Sequence, residues 1–410
     1  MWRRWVEPWY ISYALLGAAI AGLAPILLPL TVIRIGSAAE VGLVMAAFSV
    51  GGLTAPLWGS LADRYRVHRW LLALGLAVAA VGLVGFPFAP GLVPWLGLAI
   101  LQGAGAAAAS TVANLFVVEV HPQSEWDERI GWLQTFYGAG QVGGLLLAGL
   151  LGQIDAGIGL VVAGAMVLLA VLPGWWTTRT SSEPLKPKPV PRHPARHAEW
   201  PLISPQRLFH HLTPEALRRL GPALFSPFGL FLVIWLVSFG GSAAMFSLYP
   251  VLMHEAYGIS PAISSIGFAA AASLGLALYS PAGRWSEGIG PSMVMRSALG
   301  VRVLAFVALF ALGVAPSATL AWLALPAFAF VVLAWSLLSV SGTALTARLS
   351  PVGEGIGIGL FNATTALASV IGAVAGGLVA GVIGYPSVLI LAAAGNALGL
   401  LLFLGLRSDR

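Results

Sequence analysis

The densest group of residues able to do chemistry is Gly59-Ser60-Leu61-Ala62-Asp63-Arg64-Tyr65-Arg66-Val67-His68-Arg69. Gly59 allows two helices to approach closely. Asp63, at the end of one helix, can meet the positive N-terminus of another. Arg64 can pair with a neighbouring carboxylate, and Glu119 is placed to supply one to Arg64 or Arg129. Such contacts form and break, so their chemistry is that of a conformational latch. Catalytic groupings are missing from the reading. There is no nucleotide loop, no His-Glu metal motif and no carboxylate pair placed in an expected cavity, so an enzyme is not expected. His193 and His197 have helical spacing, but Pro194 breaks the helix that would align them, and no metal or cofactor is expected.

The elements that must position these residues follow from composition. The chain has 410 residues, of which 58% are hydrophobic and 9% charged, with no cysteine. A soluble domain of this size could not cover its surface with so few charges, so the surface faces lipid. A nucleic-acid binder, a disordered chain and a disulfide scaffold are excluded. Long apolar runs rich in Leu, Ala, Val and Gly point to helices rather than to the alternating strands of a barrel. They fall near 11–33, 41–62, 70–89, 92–119, 130–152, 157–176, 224–253, 262–283, 293–314, 318–347, 355–383 and 386–406. The expected organisation is an N-terminal six-helix bundle over 1–176, a cytoplasmic linker over 177–222 and a C-terminal six-helix bundle over 223–410. Within the linker, Thr213-Pro214-Glu215 predicts a helix start. The first run reads as a retained span rather than a cleaved signal.

Orientation comes from the basic residues. With the N-terminus inside, every Lys and Arg except Arg34 and Arg302 lies on the cytoplasmic side. Both termini are therefore expected to be cytoplasmic in a multi-pass protein of the plasma or inner membrane. Arg34 and Glu40 are expected to form an ion pair at the outer face. All the acids fall in loops or at span ends. Arg302, about ten residues into the ninth span, is expected to bond to carbonyls or to snorkel, in preference to forming an anion site. Trp2, Trp5, Trp9, Trp126, Trp175 and Trp176 are expected at the membrane interfaces.

The segment from Gly59 to Arg69 resembles the Gly-x-x-x-Asp-Arg-x-Gly-Arg-Arg signature of the major facilitator superfamily, with Gly59, Asp63 and Arg64 in place. Gly283-Arg-Trp-Ser-Glu287-Gly-Ile-Gly290 stands as its counterpart after the eighth span, as a duplicated unit would require. Gln102-Gly103 matches part of an Arg-x-x-Gln-Gly pattern, with Ala99 at the arginine's position. Gly143-Gly144 matches the end of an exporter signature, with Gly140 where that signature has proline. The resemblance implies an all-α membrane fold of twelve helices in two pseudo-symmetric bundles. It also implies that the first, fourth, seventh and tenth helices line a cavity, with help from the second, fifth, eighth and eleventh. The ninth is expected to pack outside it.

On that basis the expected cavity residues are Tyr13, Pro25, Gln102, Ser110, Asn114, Gln134, Tyr137, Gln141, Trp235, Phe239, Phe246, Tyr249, Trp335, Asn362 and Thr365. Aromatic, amide and hydroxyl groups without a midplane acid suit a lipophilic or neutral ligand. The expected activity is secondary active transport of a small molecule by alternating access, as export of a lipophilic or drug-like compound. A sugar or neutral-metabolite transporter is the alternative. A non-transporting membrane sensor fits less well, because the linker carries no evident signalling domain. The expected partners are the small-molecule substrate and the lipid bilayer, with proton coupling left open. No nucleic acid and no second copy are expected.

Overall fold

The computed structural model describes residues 6–65, 68–121, 125–180, 222, 225–314, 318–351 and 354–406, and its regular structure is helical throughout. Twelve of the described helices are long and apolar enough to cross a membrane. In chain order they are α1 Tyr10–Ile33, α2 Ala38–Gly59, α3 His68–Phe88, α4 Leu92–Val117, α5 Glu128–Ile154 and α6 Ala156–Trp175. The second half follows with α7 Pro227–Phe246, α8 Pro261–Gly288, α9 Pro291–Val314, α10 Thr319–Leu349, α11 Gly357–Val382 and α12 Tyr385–Gly405.

Their ends are written in local chemistry. Ser37 and Glu40 form a reciprocal capping box at the start of α2. Ser226 accepts from the Phe228 N–H at α7, and Ser260 from the Ile263 N–H at α8. Gly290 (φ 89°), between α8 and α9, and Gly384 (φ 118°), between α11 and α12, take a left-handed turn that L side chains avoid. Each precedes a proline-started helix.

Three helices depart from the expected continuous rods. The seventh span, expected to run to 253, stops at Phe246, and a separate short helix covers Tyr249–Tyr257. Pro250 cannot donate to the preceding turn, so the helix restarts there. The second span turns at Leu53-Thr54, just before Pro56. In α1 the segment Gly17–Leu23 is π-helical and ends just ahead of Pro25.

The packing repeats with a shift of six helices. In the first half α1 packs on α5 and α6, α4 on α2 and α3, and α3 on α6. In the second, α7 packs on α11 and α12, α10 on α8 and α9, and α9 on α12. The halves meet through α2 against α11 and α5 against α8, which exchange under the same shift. Small residues make these seams. A Cβ on Gly377 would stand 2.7 Å from the Ala38 carbonyl oxygen and 2.9 Å from the Gly42 Cα. A Cβ on Gly149 would lie 3.0 Å from the Ala262 carbonyl oxygen. Both approaches lie at the end of the molecule that carries the 33–38 loop, away from the chain termini.

Polar contacts at the helix ends correct two expectations. Arg34 pairs with Asp155 at 2.6 Å, while Glu40 is occupied by its own helix start. The same Asp155 accepts from the Gly157 and Ile158 N–H groups at the start of α6. The Arg34 guanidinium, helped by these amides, holds the Asp155 carboxyl below the usual carboxylate range. Trp9 is not an interfacial anchor. It is buried, its Nε1–H donates to Glu7 at 2.7 Å, and Phe116 stands edge-on to it. Trp175 is half-buried under the Arg69 guanidinium, 4.3 Å from its ring centre.

Candidate functional site

A cavity of about 380 Å³ lies between the two halves. From α1 come Ala21, in the π-helical segment, and Pro25, just beyond it, and α2 contributes Met45, Phe48 and Ser49. Gln141 comes from α5, Phe239 and Phe246 from α7, and Ser247 and Tyr249 from the chain just beyond it. The wall is completed by Phe268 and Tyr279 of α8, Arg302 of α9, Trp335 and Ser336 of α10, and Ser369 and Ala373 of α11. Met45, Phe48, Phe268, Tyr279 and Arg302 follow from packing registers that the linear reading does not place at the cavity.

The serine hydroxyl protons of this wall are already used. Ser49 donates to the Met45 carbonyl, Ser247 to Ala244, Ser336 to Gly275 and Ser369 to Thr365. The Tyr249 hydroxyl donates to the Ser264 carbonyl at 2.8 Å. Ring faces therefore dominate the surface, and the side-chain donors left to meet a ligand are the Gln141 amide, the Tyr279 hydroxyl and the Arg302 guanidinium.

Arg302 is 1% exposed, so it does not snorkel. It lies midway along α9, on a helix that packs on α10 and α12, yet its side chain reaches the cavity wall. Its Nη1 donates to the Ser242 hydroxyl at 2.9 Å, and its Nε makes a long contact of 3.4 Å with the Val331 carbonyl. The Trp335 ring centre lies 5.7 Å from the guanidinium carbon. Nη2 has no hydrogen-bond partner, and no carboxylate pairs with Arg302 among the described residues. Ser242 cannot do more, because its hydroxyl also accepts from Asn396 and donates to the Ser238 carbonyl. A charge near the middle of a span costs about 2.5–3.5 kcal/mol on insertion scales, so its retention calls for a function.

Of the expected cavity residues, Pro25, Gln141, Phe239, Phe246, Tyr249 and Trp335 line this space. Trp235 stands behind it, stacked on Phe239 at 5.9 Å and donating to the Thr365 hydroxyl at 2.8 Å. Gln102 is a correction. It is fully buried where α3 crosses α4, against Gly82, because the close α3–α4 seam turns that face of α4 away from the cavity. Tyr13, Asn114, Gln134 and Tyr137 form a separate group nearer the termini-bearing end. Tyr13 tilts against Tyr137 at 4.9 Å and faces the amides of Asn114 and Gln134, and Ser110 accepts from Asn114 through its backbone carbonyl. Asn362 is exposed on α11 and is not part of the cavity wall.

Of the latch residues, Gly59 faces the Thr111 methyl group of α4. The helix Ala55–Tyr65 carries Asp63 and Arg64, and α4 runs on to Glu119, but these three side chains lie outside the described residues. So does the linker with its expected helix at Thr213 and its histidines. Beside this region the sequence reading missed a half-buried ionic cluster centred on Glu7. Glu7 Oε1 lies 3.0 Å from Arg129 Nη1 and 2.7 Å from His121 Nε2, and Arg129 Nε donates to Glu125 at 2.9 Å. The spacing of Glu125 and Arg129, four residues apart around a helix start, was the available signal.

Comparison with curated proteins by sequence returns no significant match. Among solved structures, a mutant of the nucleoside transporter NupG superposes with a TM-score of 0.74 at 14% identity, covering 98% of this chain and 99% of that one. An auto-inhibited peptide transporter of the POT family gives 0.74 at 16% identity, covering 99% and 97%. A D-xylose–proton symporter gives 0.64 at 14% identity, covering 98% and 96%. At these identities the likeness is one of fold. The family model described as Major Facilitator Superfamily matches residues 9–354 and 230–410, and so takes in both halves and the join between them. With its twelve helices, its six-helix repeat and a cavity between the halves, this chain belongs to the Major Facilitator Superfamily of transporters.

Proposed function

We propose that this transporter carries a small compound with a lipophilic body by alternating access, in the direction of export. The observation that carries the reading is the cavity wall: seven aromatic rings, from Phe48, Phe239, Phe246, Tyr249, Phe268, Tyr279 and Trp335, with its serine protons already spent on carbonyls. A sugar needs donors and acceptors on most of its edges, which this wall supplies sparsely. The direction rests on the Gly143-Gly144 pair of α5. With the basic residues inside, both termini are cytoplasmic and the membrane is the plasma or inner membrane. The close approaches of α2 to α11 and of α5 to α8 then lie at the outer face, so the cavity is reached from the cytoplasm. The latch of Gly59, Asp63, Arg64 and Glu119 sits at the opposite end and closes when the outer face opens.

Accumulation of 1-N-phenylnaphthylamine, a neutral lipophilic fluorophore, tests this in energised cells. Cells expressing the wild type are expected to accumulate less dye than cells expressing Asp63→Asn at equal membrane level. Losing one charged hydrogen bond of about 1.5 kcal/mol would slow transport roughly tenfold. Equal accumulation in both would overturn the reading and favour a carrier of sugars or neutral metabolites, to be followed by counterflow of labelled pentose.

A further inference from the structure

We infer that Arg302 is the binding residue for an anionic group on the transported compound, so that the cargo is an organic oxyanion, such as a carboxylate, on a lipophilic body. The inference rests on the reading of the central cavity as the transport site, and it names what that cavity selects.

Guanidinium stays charged at every physiological pH and offers five N–H donors. In Arg302 one goes to Ser242 at 2.9 Å and one weakly to the Val331 carbonyl at 3.4 Å. Both donors on Nη2 are unused, although the side chain is 1% exposed. A structural arginine at this depth would be expected to hold a carboxylate, because an unpaired charge in a low-dielectric interior is the costly arrangement. None of the described acids pairs with it. The second polar layer does not neutralise it either. Asn396 gives its two donors to Ser242 and to the Ala392 carbonyl and is itself left with an unpartnered Oδ1. Ser242 anchors Nη1 and thereby fixes the guanidinium plane, leaving the Nη2 edge to an incoming oxyanion.

The position suits recognition at one end of a ligand. Arg302 and Trp335 share the cavity wall, and the indole covers the guanidinium at 5.7 Å. An oxyanion reaching Nη2 would displace this cover while its apolar body lay against Phe239, Phe246 and Phe268. The ligand would bring the counter-charge that the protein omits, and the empty carrier would retain an uncompensated cation. A cationic compound is disfavoured by the same charge.

Isothermal titration calorimetry on the purified full chain tests this with 2-naphthoate, its neutral counterpart 2-naphthylmethanol, and acetate. Naphthoate is expected to bind at least about tenfold more tightly than the alcohol, the gain of one charge-assisted hydrogen bond. Arg302→Gln should bring naphthoate down to the affinity of the alcohol, and Arg302→Lys should keep part of the difference. Equal affinities in the wild type overturn the anion site and leave the lipophilic cavity standing. That comparison needs no variant, so a variant that fails to fold does not protect the inference. A preference that persists in Arg302→Gln also overturns it. If neither naphthyl compound binds, the lipophilic reading falls. Acetate then decides the anion site: binding that Arg302→Gln abolishes upholds it, and no acetate binding overturns it.

Discussion

Each half of the molecule buries an arginine, and the two are treated differently. Arg129, at the start of α5, is 8% exposed and is held between Glu7 and Glu125, with His121 at the same Glu7 oxygen. Arg302, in the middle of α9, is 1% exposed and meets a hydroxyl, a carbonyl and an indole. The first is a closed ionic cluster that ties the N-terminal segment before α1 to the α4–α5 connection. The second is an open one. Two halves built on the same helix packing thus use the same side chain for opposite ends: one for cohesion, one for a charge left uncancelled beside a cavity.

The sharpest test of that contrast is stability. Arg129→Met would strand two part-buried carboxylates and is expected to cost about 3 kcal/mol, seen as a large fall in melting temperature in detergent. Arg302→Met removes a charge that has no carboxylate to strand and is expected to be near neutral or stabilising. Equal losses in the two variants would break the comparison and make Arg302 a structural residue.

A smaller effect sharpens the shared part of the design. Gly144 in α5 faces the Ala18 backbone of α1, and Gly376 in α11 faces the Ala244 backbone of α7. Gly144→Ala and Gly376→Ala are each expected to cost about 1–3 kcal/mol in the same melting assay. Gly143, whose Cβ direction is open, should accept alanine without loss. If only one of the two seams responds, the halves are not equivalent in packing. Trp235→Phe should cost about 1 kcal/mol by losing the bond to Thr365.

The smallest effect concerns the Arg34–Asp155 contact. The lowered pKa of Asp155 means that the contact contributes stability above the ordinary carboxylate value of 3.8. That contribution is lost as pH falls through the lowered folded-state pKa. Because the contact is exposed, only a slight drop in melting temperature on acidification is expected, and Asp155→Asn should remove it.

Twelve helices in two groups of six were legible in the sequence, because lipid demands about twenty apolar residues per span and the runs are long and cleanly separated. Helix starts at Ser226-Pro227 and Ser260-Pro261 were equally local matters. Gly59, Asp63 and Arg64 could be singled out by type and spacing alone. Register around each helix could not. Gln102 and Gln141 look alike as amides in apolar helices, yet one is sealed in the α3–α4 seam and the other lines the cavity. A membrane helix that is apolar all round carries no periodic stripe to say which face turns inward. Partner choice was hidden for a related reason. Arg34 met Asp155 rather than Glu40 because Glu40 was already committed to its own helix start, and Glu7 met Arg129 across more than a hundred residues. The sequence by itself determined the membrane solvent, the helix count and the sparseness of charge. Only the tertiary structure decided which charges are cancelled and which one is left facing the cavity, because that depends on side chains brought together from helices far apart in the chain.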